Sequence, residues 1–406
     1  MENSKIEELI FSVEEKLKPQ FKKLDDIALV CQEKVLSAFQ KNRIALRHFN
    51  PTTGYGYDDD GRDTLKKVYA DVFKTESACV MPSIVSGTHA IALALLSVLN
   101  GGDKVLSVTG MPYDTLQGVI YGDRFSLKSM GVSFDYVRLK DGKIDYEKAD
   151  ELYARLKPDM IYIQRSRGYE ERESLSVYTV KEVCDHFKKA GFDGCVFVDN
   201  CYGEFVEDKE STEVGANLIA GSLIKNIGGG IAPCGGYVAG DKKYIDLVEA
   251  RLTCATIAGE IGANPAGYQY YYQGLFLAPH TVNQALKCNM LIGATMQELG
   301  YETIPEAYNM PYDITRSIKF NDEKKLVDFI QSVQRVSPVD SFVTAVPSEM
   351  PGYDDKVIMA AGCFVQGSSI ELSADAPIRP PYNAYVQGGL TYEHGKLALK
   401  EILKNL

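Results

Sequence analysis

The sequence has no uninterrupted apolar run of membrane-spanning length, and its first residues, Met1-Glu2-Asn3-Ser4, form no hydrophobic leader. It is short of positive charge. Against 55 Asp and Glu stand 44 Lys and Arg, for a net charge of −11 and a pI near 5.1. A nucleic-acid backbone, which needs basic surface, is excluded as a partner. The nine cysteines are odd in number and contain no CxxC pair, so a disulfide framework is excluded and a reducing compartment expected. The five histidines (His48, His89, His186, His280, His394) are scattered, with no two at the helical spacing of metal ligands. Internal repeats, low-complexity tracts and flexible linkers are lacking too. These absences predict a cytoplasmic protein with no metal site and no membrane contact. What is present is a 406-residue chain, 45% apolar and 24% charged, enough for a large core. The length corresponds to roughly two to three domains.

Residues 4–42 read as helical. Ser4 and Glu7 form a capping box, Ile6, Leu9, Ile10, Val13 and Leu17 share a face, and Pro19 predicts a break before a second helix with Ile27, Val30, Val35 and Phe39. A loop rich in turn formers follows, holding Tyr55, Tyr57 and Arg62, and leads into a helix over 63–73. From about 76 to 290 strands and helices alternate. Strands are expected at 78–81, 105–108, 133–139, 160–163 and 196–198, with helices at 90–99 and 180–189. That alternation predicts a mostly parallel sheet covered by helices, with functional residues at the carboxyl ends of its strands. The tyrosine-rich stretch Tyr268, Tyr270, Tyr271, Tyr272 reads as core or interface, and a helix is expected from Pro279 to Gly300. The last hundred or so residues read as a smaller α+β unit. Its strands are expected at 342–346, 357–361 and 369–372, with helices at 323–333 and after Tyr392.

The chain is organised around residues 196–236. Val196-Phe197-Val198 is a buried-strand run ending in Asp199. Ser222-Leu223-Ile224 ends in Lys225, just ahead of Gly228-Gly229-Gly230. An acid and a lysine at strand ends, about one crossover apart, suit pyridoxal phosphate. The lysine holds the aldehyde as a Schiff base and the acid keeps the pyridine nitrogen protonated. Burial is expected to lower the Lys225 pKa and free its amine as a nucleophile. Ser86-Gly87-Thr88 opens a helix whose free N–H groups favour a phosphate, although plain N-capping by Ser86 explains the same residues. Ser222 could add a hydroxyl to that phosphate, and Tyr113 a flat face to the pyridine ring. Arg379, set between prolines, offers a guanidinium fork to a substrate carboxylate, or is a surface arginine. Ser222-Leu223-Ile224-Lys225 also fits the S-x-x-K pattern of serine acyl-enzymes, but the companion motifs S-D-N and K-T-G are missing. The glycines at 228–230 do not make a GxGxxG dinucleotide loop.

Several stretches in order along the chain carry a resemblance. They are Gly54-Tyr55-Gly56-Tyr57-Asp58-Asp59-Asp60-Gly61-Arg62-Asp63, Ser86-Gly87-Thr88-His89-Ala90, Gln164-Arg165-Ser166-Arg167-Gly168-Tyr169, Asp199-Asn200-Cys201-Tyr202-Gly203-Glu204-Phe205, Lys225-Asn226 and Ser369-Ile370-Glu371-Leu372-Ser373-Ala374-Asp375. In these the chain resembles fold-type-I pyridoxal-phosphate enzymes of the cystathionine/methionine γ-lyase branch, and within it the methionine γ-lyase-like "aluminium resistance" subgroup. The resemblance implies an α/β fold with an aspartate-aminotransferase-like large domain, built on a mostly parallel seven-stranded sheet, and a smaller C-terminal α+β domain. The divisions expected are 1–60 for a helical arm and interface loop, 61–290 for the cofactor domain and 291–406 for the small domain. It also implies a homodimer or homotetramer with shared sites. Lys225 becomes the Schiff-base lysine, Asp199 the pyridine-nitrogen partner, Gly87, Thr88 and Ser222 the phosphate ligands, Tyr113 the stacking ring and Arg379 the carboxylate ligand. Tyr55 and Tyr57 stand where γ-lyases place a tyrosine and an arginine that reach the neighbouring subunit's phosphate. The second of these is here a tyrosine, so that contact must differ. Cys234 and Ala376 stand near the expected site in place of Thr and Gly. The implied reaction is elimination from a sulfur-containing amino acid, β or γ, with Lys225 as base and Tyr113 as proton donor to the leaving sulfur. An aminotransferase, or a binding protein of the same fold in a stress response, shares the same residues.

Overall fold

The computed structural model describes residues 2–350 and 352–406. Seven strands form the larger sheet: β1 (Ser77–Met81), β2 (Lys104–Ser107), β3 (Ser133–Tyr136), β4 (Met160–Gln164), β5 (Cys195–Asp199), β6 (Leu218–Ser222) and β7 (Gly236–Gly240). Their order is β1-β7-β6-β5-β4-β2-β3, and all neighbours run parallel except β7, which is antiparallel to both β1 and β6. Every residue of β4 and β5 is buried, as expected where helices cover both faces. The covering helices include α2 (Asp60–Phe73), α3 (Gly87–Val98), α4 (Asp114–Tyr121), α5 (Tyr146–Leu156), α6 (Val177–Lys189) and α7 (Lys242–Leu252). Gln164 pairs with Asp199 and Asp199 with Ala220, so β4 and β5 end level while β6 runs two residues further, to Ser222, and the three deliver their last side chains to one edge.

A second sheet, wholly antiparallel, has the order β10-β11-β12-β9-β8. It is made of β8 (Glu302–Ile304), β9 (Thr315–Lys319), β10 (Val357–Ala360), β11 (Ser373–Pro377) and β12 (Asn383–Gln387). It packs with α9 (Glu323–Arg335), and α10 (Tyr392–Asn405) packs against α9. The strands expected at 342–346 and 369–372 are irregular. Phe342 is 86% exposed, and the pairing register falls to Ser373–Pro377, where Ala374 and Ala376 are buried against neighbouring strands. At 369–372 the apolar residues are buried, whereas at 342–346 all but Ala345 are exposed, and among the described residues neither stretch has a partner strand to make a ladder.

Two prolines, one expected to break a helix and one to begin it, lie inside helices instead. The first helix, α1 (Asn3–Lys41), runs through Pro19, and α8 (Gln269–Glu298) runs through Pro279 and takes in Tyr270, Tyr271 and Tyr272, with Tyr268 as its N-cap. In α1 the buried face Ile6, Ile10, Val13, Leu17, Leu24, Cys31, Val35, Ala38 continues on both sides of the proline, so packing outweighs the lost hydrogen bond. The helix starts one residue before the expected capping box, with Glu2 as N-cap and no side-chain cap. Of the tyrosine cluster, Tyr268, Tyr271 and Tyr272 are core and Tyr270 is exposed. No helix among the described residues is long and apolar enough to cross a membrane.

Helix α1 is a strap rather than a loose arm. It lies along α8 and meets α10, where Glu14 receives the Tyr392 hydroxyl and the Lys396 ammonium at 2.8 and 2.7 Å. Near the other end Lys34 pairs with Glu213, and Asp25 accepts from Asn283 at 2.8 Å. Because Leu17 is fully buried in this interface, Leu17→Ala should cost about 2–5 kcal/mol. Urea denaturation should show a lower midpoint at unchanged slope; an unchanged midpoint would mean that α1 is not part of the core.

Candidate active site

At the shared edge of β4, β5 and β6 lies a cavity of about 470 Å³, closed from the other side by residues of the small sheet. Ser86, Gly87, Thr88, Tyr113, Asp199, Ser222, Lys225 and Arg379 all line it. Tyr55 and Tyr57 do not. They sit on the loop before α2, 68% and 57% exposed, with ring centroids 5.6 Å apart. That loop is anchored beneath them. Asp59 caps α2 and accepts the Tyr268 hydroxyl at 2.6 Å, while Arg62 donates to the Gly56 carbonyl at 2.8 Å.

The cavity begins at the N-terminus of α3. Ser86 is the N-cap, its hydroxyl accepting from the His89 N–H at 3.0 Å, so the capping reading holds and the residue faces the cavity as well. Gly87 lets this turn approach β6. A Cβ there would stand 3.2 Å from both the Cys201 Sγ and the Ser222 Cβ. The first-turn N–H groups precede the helical ladder, which leaves them for a ligand. The Thr88 hydroxyl joins that of Tyr113 at 3.0 Å, and the Tyr113 N–H donates to the Gln164 side chain at 3.1 Å, fixing the phenol from both ends.

Asp199 closes β5 and is 1% exposed. Burial pushes its carboxyl up to about 6, against the opposing pull of Lys225 and of the Cys201 N–H at 3.1 Å. Lys225 lies three residues past the end of β6, in a turn rather than on the strand, with its Nζ 3.9 Å from the Tyr202 ring centroid. The expectation of a depressed amine is overturned. Burial does pull it down, but Cys201, Tyr202, Tyr113 and Asp199 together outweigh that and hold the ammonium above its ordinary range. The turn is locked by Asn226, whose amide donates to the carbonyls of Tyr202 and Glu204, both at 3.0 Å. Behind it, Gly229 is left-handed (φ +59°) and any Cβ would lie 2.3 Å from the Gly274 carbonyl of α8.

Arg379 is on the rim, about half exposed and paired with Asp355 at 2.8 Å. Cys234 and Ala376 are not among the lining residues. Cys234 is exposed with its Sγ 3.3 Å from the Tyr271 hydroxyl, and Ala376 is buried in β11. Among the lining residues that received no role from sequence reasoning are Gln164, Arg167, Cys201 and Asp375. All four occur inside the stretches that carry the family resemblance, which was the available signal. Asp375 comes from the small sheet, its carboxyl pushed up to about 6 by burial, opposed by its hydrogen bond with Tyr169 and by Lys225.

Residues 6–406 match the methionine gamma-lyase family. The chain belongs to that family. A cystathionine beta-lyase of Listeria innocua involved in aluminium resistance, so named provisionally, is 48% identical, with a TM-score of 0.96 over 98% of this chain and 99% of that one. A carbon-sulfur lyase of Clostridium novyi involved in aluminium resistance is also 48% identical, with a TM-score of 0.94 over 98% and 95%. The uncharacterized protein YnbB of Bacillus subtilis is 48% identical over 95% of this chain and 92% of its own length. The architecture is that of fold-type-I pyridoxal-phosphate enzymes. As in other members of the methionine gamma-lyase family, the cofactor is pyridoxal phosphate, and the residues present fit it. The glycine at 87 leaves an open cradle at a helix N-terminus, with a buried carboxyl and an amine sharing the cavity.

The pH dependence of the cofactor-free protein follows from Asp199. Its folded carboxyl keeps a proton up to about pH 6, whereas the unfolded chain releases it near pH 4. The folded state therefore binds more protons in that window, and this group's contribution to stability falls as pH rises through it. In urea titrations, Asp199→Asn should gain on wild type between about pH 4 and 6 and show a constant difference above that. A difference that shrinks with rising pH contradicts the assignment.

Proposed function

We propose that the chain is a pyridoxal-phosphate-dependent carbon–sulfur lyase acting on a sulfur-containing amino acid by β- or γ-elimination. The observation that carries this reading is the convergence of Lys225, Asp199 and the opening turn of α3 on one cavity. Gly87, Thr88, Ser86 and Ser222 would hold the phosphate, Asp199 the pyridine nitrogen, Tyr113 the ring face and Lys225 the aldehyde carbon. When bound, the cofactor supplies the electron sink that makes Cα–H cleavage accessible.

The rest falls to side chains. Arg379 meets the substrate's carboxylate at the mouth, where it must leave Asp355. Lys225, freed as an amine, takes the α-proton. Its raised proton affinity suits a base, and Asp199 stabilises the ammonium that results. Burial and the nearby Asp199 push the Tyr113 phenol well above its ordinary range, so it keeps its proton and can give it to the departing sulfur as the C–S bond breaks. The exposed pair Tyr55 and Tyr57, held out on a braced loop, would complete a neighbouring site in a homodimer or homotetramer. All nine cysteines are free, which suits a cytoplasmic setting.

Lys225→Ala should bind the cofactor only non-covalently, lose the yellow absorbance that borohydride bleaches in wild type, and release no thiol from sulfur amino acids. Covalent retention of the cofactor by this variant would end the reading.

A further inference from the structure

The ammonium of Lys225 lies against the face of one aromatic ring. Its Nζ stands 3.9 Å from the ring centroid of Tyr202, a partly buried residue that lines the same cavity. Among the described residues no oxygen accepts a hydrogen bond from that nitrogen and no carboxylate comes within ion-pair distance of it, so the ring is its direct partner. Cys201, Tyr113, Asp199, Glu204 and Asp375 are its other electrostatic neighbours.

The ring is fixed at both ends. The Tyr202 hydroxyl shares a hydrogen bond at 3.0 Å with that of Ser369, on the loop that leads into β11 of the small sheet. The Tyr202 carbonyl accepts from the Asn226 amide at 3.0 Å, and Asn226 directly follows Lys225, so ring and lysine are tied to one turn. The backbone of Tyr202 is left-handed (φ +71°), a conformation unfavourable to a bulky side chain. The surrounding bonds therefore hold this ring where the chain's own preference would not put it.

A lysine released from its cofactor needs a fixed place to stay. Its four-carbon stem is flexible, and a base that swings freely is seldom aligned with the hydrogen it must remove. An aromatic face discriminates by charge, because its quadrupole attracts an ammonium and holds a neutral amine only weakly. We propose that the face of Tyr202 is the seat of Lys225 whenever the lysine is not bonded to the cofactor, which makes Tyr202 a positioning residue for the base. This rests on the lyase reading and adds a residue to it. In the proton transfer the Cα–H bond breaks, an N–H bond forms at Nζ, and the electron pair passes into the cofactor. The ammonium so formed is the species that the tyrosine face binds, while the neutral amine is free to return to the cofactor.

The test reads the lysine with and without cofactor. In the cofactor-free protein, acetic anhydride acylates only neutral amine, and labelling of Lys225 is followed by mass spectrometry of its peptide between about pH 7 and 9. Tyr202→Phe keeps the ring face and should label within about threefold of wild type, whereas Tyr202→Leu should label about tenfold faster, its ammonium having lost its partner. Fluorinated phenylalanines placed at position 202 keep the ring's shape but withdraw electrons from its face, so labelling should rise with each added fluorine. In the loaded protein, exchange of the α-hydrogen of norleucine, which has no sulfur to lose, with heavy water should slow about tenfold in Tyr202→Leu and be retained in Tyr202→Phe. Equal labelling of Tyr202→Leu and Tyr202→Phe overturns the proposal, as does labelling that ignores fluorination or exchange that is unchanged in Tyr202→Leu. Should Tyr202→Leu fail to fold, the fluorinated series decides alone. Failure of the lyase reading looks different: wild type releases no thiol from any sulfur amino acid, while labelling still follows the ring.

Discussion

Asp199 and Lys225 act on each other where burial weakens solvent screening, so the proton held by each depends on the other. The carboxyl is lifted by burial and held down by the ammonium, and the ammonium is lifted by its anionic and aromatic surroundings. In low dielectric such coupling is strong and reaches several residues, which is why Cys201, Asp375 and Glu204 also feel Lys225. The surrounding architecture keeps these groups in place. The level ends of β4 and β5 present Asp199, the Asn226 amide ties the lysine turn to the loop after β5, and glycine at 229 lets that turn lie against α8.

A second constraint is the closure of the cavity by a different sheet. Asp375, Tyr385 and Arg379 come from β11, β12 and the loop between them, far along the chain from the acid and the lysine. Their placement depends on how the small sheet sits against α8, and α1 fastens both by running along α8 to α10. The strap therefore bears on the shape of the site although it contributes nothing to its lining.

Much of this was legible in the chain. Near-continuous apolar runs ending in a polar residue mark buried parallel strands, and Asp199, Tyr113 and Ser86 were found that way. The acid–lysine pair and the helix opening at Gly87 implied one cofactor before any geometry was known. Local signals failed where longer-range packing took over. Pro19 and Pro279 are breakers in isolation, yet each lies in a helix whose apolar face is buried along its whole length. Residues 369–372 look like a strand because Ile370 and Leu372 are buried, but pairing begins at Ser373.

Arg167 and Arg379 show the same division most clearly. Both are arginines in polar, turn-forming surroundings, and Arg379 between prolines had the stronger local claim. Composition, strand alternation and the order of motifs, all properties of neighbours along the chain, determined the fold class and the cofactor, and singled out Lys225 as the lysine proposed to bind it. Which arginines are buried, which carboxylates rise in pKa, and in which direction the lysine itself shifts are sums over groups brought together from remote segments. Electrostatics and desolvation depend on distance in space, and only the folded chain sets those distances.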